Sequence, residues 1–211
     1  MGATFSRVKT WATGETLTAA QLNAEFDNIL NNLSLICNIW IPASGMTPLS
    51  TNGAEAGVNE YATNDVMIDY FAFDGATEEY VAVNLVMPED WNRSTIKAKF
   101  YWAPGDSACT AADTVEWQMQ GISVSDDGTI DTAYTDAGEV ISDAVTAGKN
   151  ADLHITSTTP AITINGSPAL GDLINLKISR NVGGTDDMTE DAWLFGVFIQ
   201  YTASNAIVAW T

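Results

Sequence analysis

One histidine, two cysteines and 27 carboxylates are what this 211-residue chain can bring to acid–base, nucleophilic or metal chemistry. His154 sits in LHITS between Leu153 and Ile155, where a lone histidine reads as a packed strand residue rather than a general base. Cys37 and Cys109 lie far apart and outside any CxxC pattern, so neither a metal cluster nor a redox pair is indicated. Both are expected as buried thiols, as in a protein assembled in a reducing cytoplasm. Two acidic loops, SDDGTID with Asp126, Asp127 and Asp131, and TDDMTED with Asp186, Asp187, Glu190 and Asp191, offer oxygen ligands of the kind calcium takes. Neither follows the EF-hand pattern, and solvated surface charge is the favoured reading, so no metal and no cofactor is expected. GxSxG, HExxH, Walker and GxGxxG motifs are missing. A carboxylate pair at glycosidase spacing would arise by chance among so many acids, and nothing singles one out. No catalytic residue is assigned and no enzymatic activity is expected. Tyr70, Phe71, Phe73, Tyr101 and Trp102 would suit a sugar-stacking platform, but their alternation directs most of them to a core or a subunit contact.

An assembly element is better marked. Thr18 followed by Gln21 forms a capping box, which satisfies the first unbonded donors of a helix. Leu22, Phe26, Ile29, Leu33 and Ile36 then recur at spacings of four, three, four and three, and Trp40 continues the count. That is the seam of a coiled coil, with Phe26 and Leu33 at a and Leu22, Ile29 and Ile36 at d. Leu at a with Ile at d leans toward three or four strands, so these five residues are the expected interface of a homotrimer. The competing reading is that the chain's own β-domain covers the seam. Before the helix, Phe5, Arg7, Lys9 and Trp11 lie on an extended arm closed by Gly14. Arg7 and Lys9 against Glu15 leave nearly the whole negative charge beyond Thr18, which suits an arm that anchors on an acidic partner. Two basic residues in that length are also unremarkable on charge alone.

The rest of the chain is acidic and folded. Net charge is −19 with 46% hydrophobic residues, too apolar for a disordered tail and too negative to favour nucleic acid or an anionic membrane as partner. The opening MGATFSRVKTWATGE has no apolar core of a signal peptide, and its loose myristoylation pattern is discounted as chance. No run reaches the length of a membrane span. Pro42 and the Gly-, Ser- and Thr-rich loop after it divide an attachment segment, 1–40, from a body, 41–211. In the body, period two is clearest at 67–73, 80–87, 95–102, 115–119, 173–179 and 193–201. Weaker strands are expected at 139–145, 153–157 and 161–165. The final strand is expected to put Trp193, Phe195, Val197, Ile199 and Tyr201 on one side. Short strands broken by turns predict a mainly β fold, an antiparallel, jelly-roll-like β-sandwich preceded by the extended arm and one short coiled-coil-type helix.

The stretch RVKTWATGETLTAAQLNAEFDNILNNL, Arg7 to Leu33, resembles the N-terminal module of virion structural proteins of tailed bacteriophages. There a TW..GE.LTA..LN.EF.NI.NN.. pattern opens fibre, spike or decoration subunits. Trp11, Gly14, Glu15, Leu17, Thr18, Ala19, Leu22, Asn23, Phe26, Ile29 and Asn32 carry the resemblance. YFAFDGATEEYVAVNLVMPEDWNRSTIKAKFYW, Tyr70 to Trp102, is similar to β-sandwich domains found behind such modules. The resemblance implies a virion component, usually homotrimeric, held by its N-terminal segment to a major capsid protein or to a tail or baseplate protein. It would be assembled in the host cytoplasm and exposed on the particle surface. The expected function is a capsid-surface spike or decoration protein, a reading the compact length favours. The alternative is a tail fibre or receptor-binding protein that adsorbs to a host glycan.

Overall fold

The computed structural model describes residues 8–32, 35–105, 109–146 and 152–204. Phe5, Arg7 and Leu33, named above for anchoring and assembly, lie outside them. The one α-helix among the described residues, α1 (Ala19–Asn32), begins at the expected cap. The backbone N–H of Gln21 donates to Thr18 Oγ1 at 3.3 Å, and that of Thr18 donates to Gln21 Oε1 at 3.1 Å. The arm before α1 folds back on it, because Glu25 accepts the backbone N–H groups of Val8 (3.1 Å) and Lys9 (2.7 Å).

The helix is shorter than its spacing pattern predicts. Ile36 and Trp40 belong to strand β1 (Leu35–Pro42), registered along β12 (Ala192–Ala203) from Leu35 opposite Ala203 to Pro42 opposite Gly196. LICNIWIP is rich in β-branched residues, and a full ladder with β12 outweighs one more helical turn. Cys37, Ile39 and Ile41 turn to the core, while Ile36 and Trp40 face out. The expected boundary at residue 40 therefore falls inside a strand, and residues 35–40 are part of the sandwich.

Among the described residues eleven strands precede β12: β1, β2 (Thr47–Pro48), β3 (Glu55–Tyr61), β4 (Val66–Phe73), β5 (Tyr80–Val86), β6 (Lys97–Pro104), β7 (Thr114–Val124), β8 (Glu139–Ala144), β9 (His154–Ile155), β10 (Ile164–Asn165) and β11 (Leu173–Arg180). The first sheet runs β3-β4-β12-β6-β9, with β4 and then β1 sharing one edge of β12. The second runs β10-β7-β11-β5-β2, with β8 also on β7. All named pairs are antiparallel except β10 with β7. The sheets face each other as an antiparallel, jelly-roll-like sandwich. Trp117 of β7 sits at its centre, stacked on Phe100 at 5.6 Å and edge-on to Phe73 at 5.1 Å from the first sheet. The region expected as a loop up to residue 60 contains β2 and β3. EAGVNEY carries no buried side chain, so an edge strand there leaves no alternating pattern.

Candidate functional site

The two outer faces of the sandwich differ. Over the second sheet, the 125–138 loop folds back: Gln118 and Gln120 donate to the carbonyls of Ala137 (2.9 Å) and Asp136 (2.5 Å), and Tyr134 donates to Asn175. Lys177 places its ammonium 4.5 Å from the Tyr134 ring centre and 5.1 Å from that of Tyr80. The outer face of the first sheet instead presents aromatic side chains.

Trp193 joins them through one irregularity in β12. Leu194 pairs with Trp102 and Gly196 with Tyr101, so Phe195 is an extra residue and the in–out alternation reverses across it. Ala192 and Leu194 are buried before the bulge, and Val197, Ile199 and Tyr201 after it. Trp193 is thereby turned outward, contrary to the expectation that it shares a side with Val197. It stacks on Tyr70 with ring centres 4.1 Å apart and planes 16° from parallel. Glycines make the seat: a Cβ at Gly57 would collide with the Tyr70 ring, and one at Gly105 with the Trp193 indole. Further along the same face, Trp40 lies across Gly196 and meets Tyr101 edge-on at 5.0 Å, with Phe198 6.4 Å from Tyr101.

Hollows on this face include two beside its aromatic side chains. One, of about 500 Å³, is lined by Glu55, Gly57, Tyr70, Glu190, Asp191 and Trp193. The other, of about 250 Å³, is lined by Asn38, Lys97, Lys99, Tyr101, Phe198 and Gln200. The first is held in a negative field. Burial raises the pKa of Asp191, and repulsion from Asp74 and Glu55 adds to it, more than Arg180 takes away. Glu79 is likewise raised, by burial first and then by Asp74, Asp191 and Glu55, although the Asp74 backbone N–H donates to it at 2.9 Å. Asp74 stays easily ionised because the backbone N–H groups of Ala76 (2.7 Å) and Thr77 (2.6 Å) donate to its carboxylate.

The acidic loop between β11 and β12 is fastened from beneath. Arg180, fully buried, pairs with Asp186 through Nε (2.8 Å) and Nη2 (2.7 Å), and it also donates to the carbonyls of Phe73, Met188 and Glu190. Asp186 accepts the Glu116 backbone N–H at 2.9 Å, and Asp187 that of Thr114 at 2.6 Å. Asp186 is thus a buried structural partner, not the solvated charge expected of that loop, while Asp126, Asp127 and Asp131 are exposed as expected. Among the described residues no group of three His, Cys, Asp or Glu side chains is placed to hold a metal ion. His154 is buried 4.9 Å from Trp102. Of the five aromatics weighed as a platform, Phe71, Phe73 and Trp102 are in the core and Tyr70 and Tyr101 face out. Trp40, Trp193 and Phe198 complete the face and escaped the sequence reading.

At the other end of the chain, the apolar seam of α1 is exposed: Leu22 by 39%, Phe26 by 54% and Ile29 by 46%. Among the described residues, no strand makes an extensive contact with this helix. Lys9 pairs with Glu15 and holds its ammonium 4.8 Å from the Trp11 ring centre, so these two anchoring candidates already interact within the arm.

No protein-family model matches the chain, and no curated protein matches it. Solved structures are similar to it at the level of the sandwich. A xylan-binding domain from Paenibacillus barcinonensis aligns over 82% of this chain and 97% of its own, at 10% identity and a TM-score of 0.43. The family 11 carbohydrate-binding module of a Clostridium thermocellum cellulosomal cellulase aligns over 82% and 99%, at 10% identity and 0.39. A carbohydrate esterase from the Shiga toxin-encoding bacteriophage phi24B aligns over 74% and 90%, at 10% identity and 0.33. The chain spans only 23% of an arabinose-bound α-L-arabinofuranosidase and 28% of a xylohexaose-bound xylanase that it also matches. Likeness this distant is one of general architecture, and no ligand or activity passes from it to this chain.

Proposed function

We propose that the chain is a non-enzymatic structural subunit of a tailed-phage particle, a spike or decoration protein of the capsid surface in which three copies join through α1 and display their sandwiches outward. The observation that carries this reading is the uncovered seam of Leu22, Phe26 and Ile29 on a capped helix that its own sandwich leaves bare. A helix of 14 residues is marginal alone in water, and burying that seam against two copies of itself is what would keep it folded. The resemblance of residues 7–33 to virion attachment modules supports the same picture. The arm of Phe5, Arg7, Lys9 and Trp11 would then hold the trimer to a capsid, tail or baseplate protein.

Sedimentation at micromolar concentration tests it. The unaltered protein is expected as a trimer, and the double variant Phe26→Asp, Ile29→Asp as a monomer whose near-ultraviolet circular dichroism still reports an intact sandwich. A monomeric unaltered protein would refute the reading. A second reading, a receptor-binding subunit that adsorbs to a host glycan, is favoured by the aromatic outer face of the first sheet, since the second sheet's outer face carries the 125–138 loop.

A further inference from the structure

The hollow at Tyr70 and Trp193 combines three features that a bare acidic patch lacks. Its volume of about 500 Å³ falls within the range of small-ligand sites, about 300–1,000 Å³. Its wall carries a stacked aromatic pair, and two glycines leave the room in which those rings sit. Its rim carries Glu55, Glu190 and Asp191, with the loop bearing the last two fastened by Arg180 to the Glu190 carbonyl at 2.7 Å. An aromatic ring offers a flat apolar surface to the C–H face of a sugar, and an ionised carboxylate accepts hydrogen bonds from hydroxyls but donates none. A pyranose seated here would meet the apolar aromatic wall with its C–H groups and the carboxylates with its hydroxyls.

The charge of the site narrows the ligand further. Asp74, Glu79, Asp191 and Glu55 repel one another here, and the nearest guanidinium, that of Arg180, is already paired with Asp186. A hydroxyl or ammonium group brought among them relieves that repulsion, whereas a sugar carboxylate adds to it. The opposite sign lies on the same face at the Lys97 and Lys99 hollow, where an anionic sugar would be drawn instead.

We infer that the groove between Tyr70, Trp193, Glu55 and Asp191 is a saccharide subsite that takes neutral or amino-bearing hexopyranose residues and excludes uronic and sialic acids. The inference rests on the receptor-binding reading and adds to it the place and the chemical class of the ligand.

Calorimetric titration of the full chain with three tetrasaccharides tests it: a neutral glucan, a glucosamine oligomer with free amines, and an oligogalacturonate. The neutral or the amino oligomer, or both, is expected to bind, and the galacturonate to bind at least about tenfold more weakly. Trp193→Ala should weaken binding about tenfold. Glu55→Gln alters an exposed edge residue and is expected to fold unchanged; it should narrow the gap between the galacturonate and the other two, which a purely structural role for Glu55 would not do. Lys97→Ala should leave binding of the neutral and amino oligomers intact. If none of the three ligands binds, the receptor-binding reading fails and this site with it. If one binds but the galacturonate is preferred, or Trp193→Ala and Glu55→Gln leave the titrations unchanged while Lys97→Ala abolishes them, the reading stands and the site assigned here is wrong.

Discussion

Glu116 and Asp172 are carboxylates buried in the sandwich and held by neutral donors. Glu116 accepts from Asn181, from the Thr185 hydroxyl at 2.8 Å and from the Ser142 hydroxyl at 3.1 Å; Asp172 accepts from Ser123 at 2.7 Å, Ser125 at 2.9 Å and the Ala169 N–H at 2.8 Å. Burial alone would raise both pKas, but the donors outweigh it and both end below the ordinary carboxylate value. An acid depressed by folding contributes stability that is complete above its unfolded-chain pKa and is lost as pH falls through the lower folded one. Glu116→Gln and Asp172→Asn should therefore each cost about 1–3 kcal/mol at about pH 7, with the gap from the unaltered protein narrowing as pH falls below the unfolded carboxylate range. Thermal melts across that range check this; a gap that stays constant would contradict it. Asp191 and Glu79 carry the opposite sign. Their raised pKas favour the folded state below the unfolded carboxylate range, and that contribution fades as pH rises through the folded values. Ionising Asp191 and Glu79 therefore works against the fold. Single residues were legible where alternation was regular: Phe100 and Trp102 inward, Tyr101 outward. Trp193 was not, because one bulged residue inverts the phase, and the local hint of it is Gly196 inside WLFGVF, a glycine in a strand that marks a bulge or a close approach without saying which residue is extra.

At the scale of elements, α1 and β1 show what local sequence can and cannot decide. The capping box of Thr18 and Gln21 is a contact between near neighbours, and it formed as read. Ile36 and Trp40 satisfy two periods at once, the seven-residue seam carried on from Ile29 and the outward positions of a strand whose inward ones are Cys37, Ile39 and Ile41. What decides between them is β12, more than 150 positions later in the chain, and no window around residue 36 contains it. The strand β3 was hidden for a different reason, since its side chains are exposed or half-exposed and its pairing is all main chain. The cap also bears on assembly. Thr18→Ala should cost the helix about 1 kcal/mol and so loosen the proposed trimer several-fold without dissolving it, measurable as a shift in the concentration at which sedimentation changes from the proposed trimer to monomer. No change in that concentration would mean that α1 is not the joint.

For the whole molecule, each copy carries a net charge of −19, so any assembly through α1 works against long-range repulsion. Screening shortens that reach from about 10 Å at about 0.1 M salt to about 3 Å at about 1 M. Added sodium chloride should therefore tighten self-association, and sedimentation equilibrium would register the sign; weakening with salt would point to ion pairs rather than an apolar seam as the glue. The path from helix to body has a mechanical side as well. A pull arriving through α1 enters the sandwich at Leu35, the first residue of a strand whose eight positions are all laced to β12. Tension along that strand loads the whole ladder in shear, so its hydrogen bonds must fail together rather than peel away one by one. If the proposed anchoring through α1 holds, such a join would resist drag from flowing liquid far better than a strand tugged sideways from its edge.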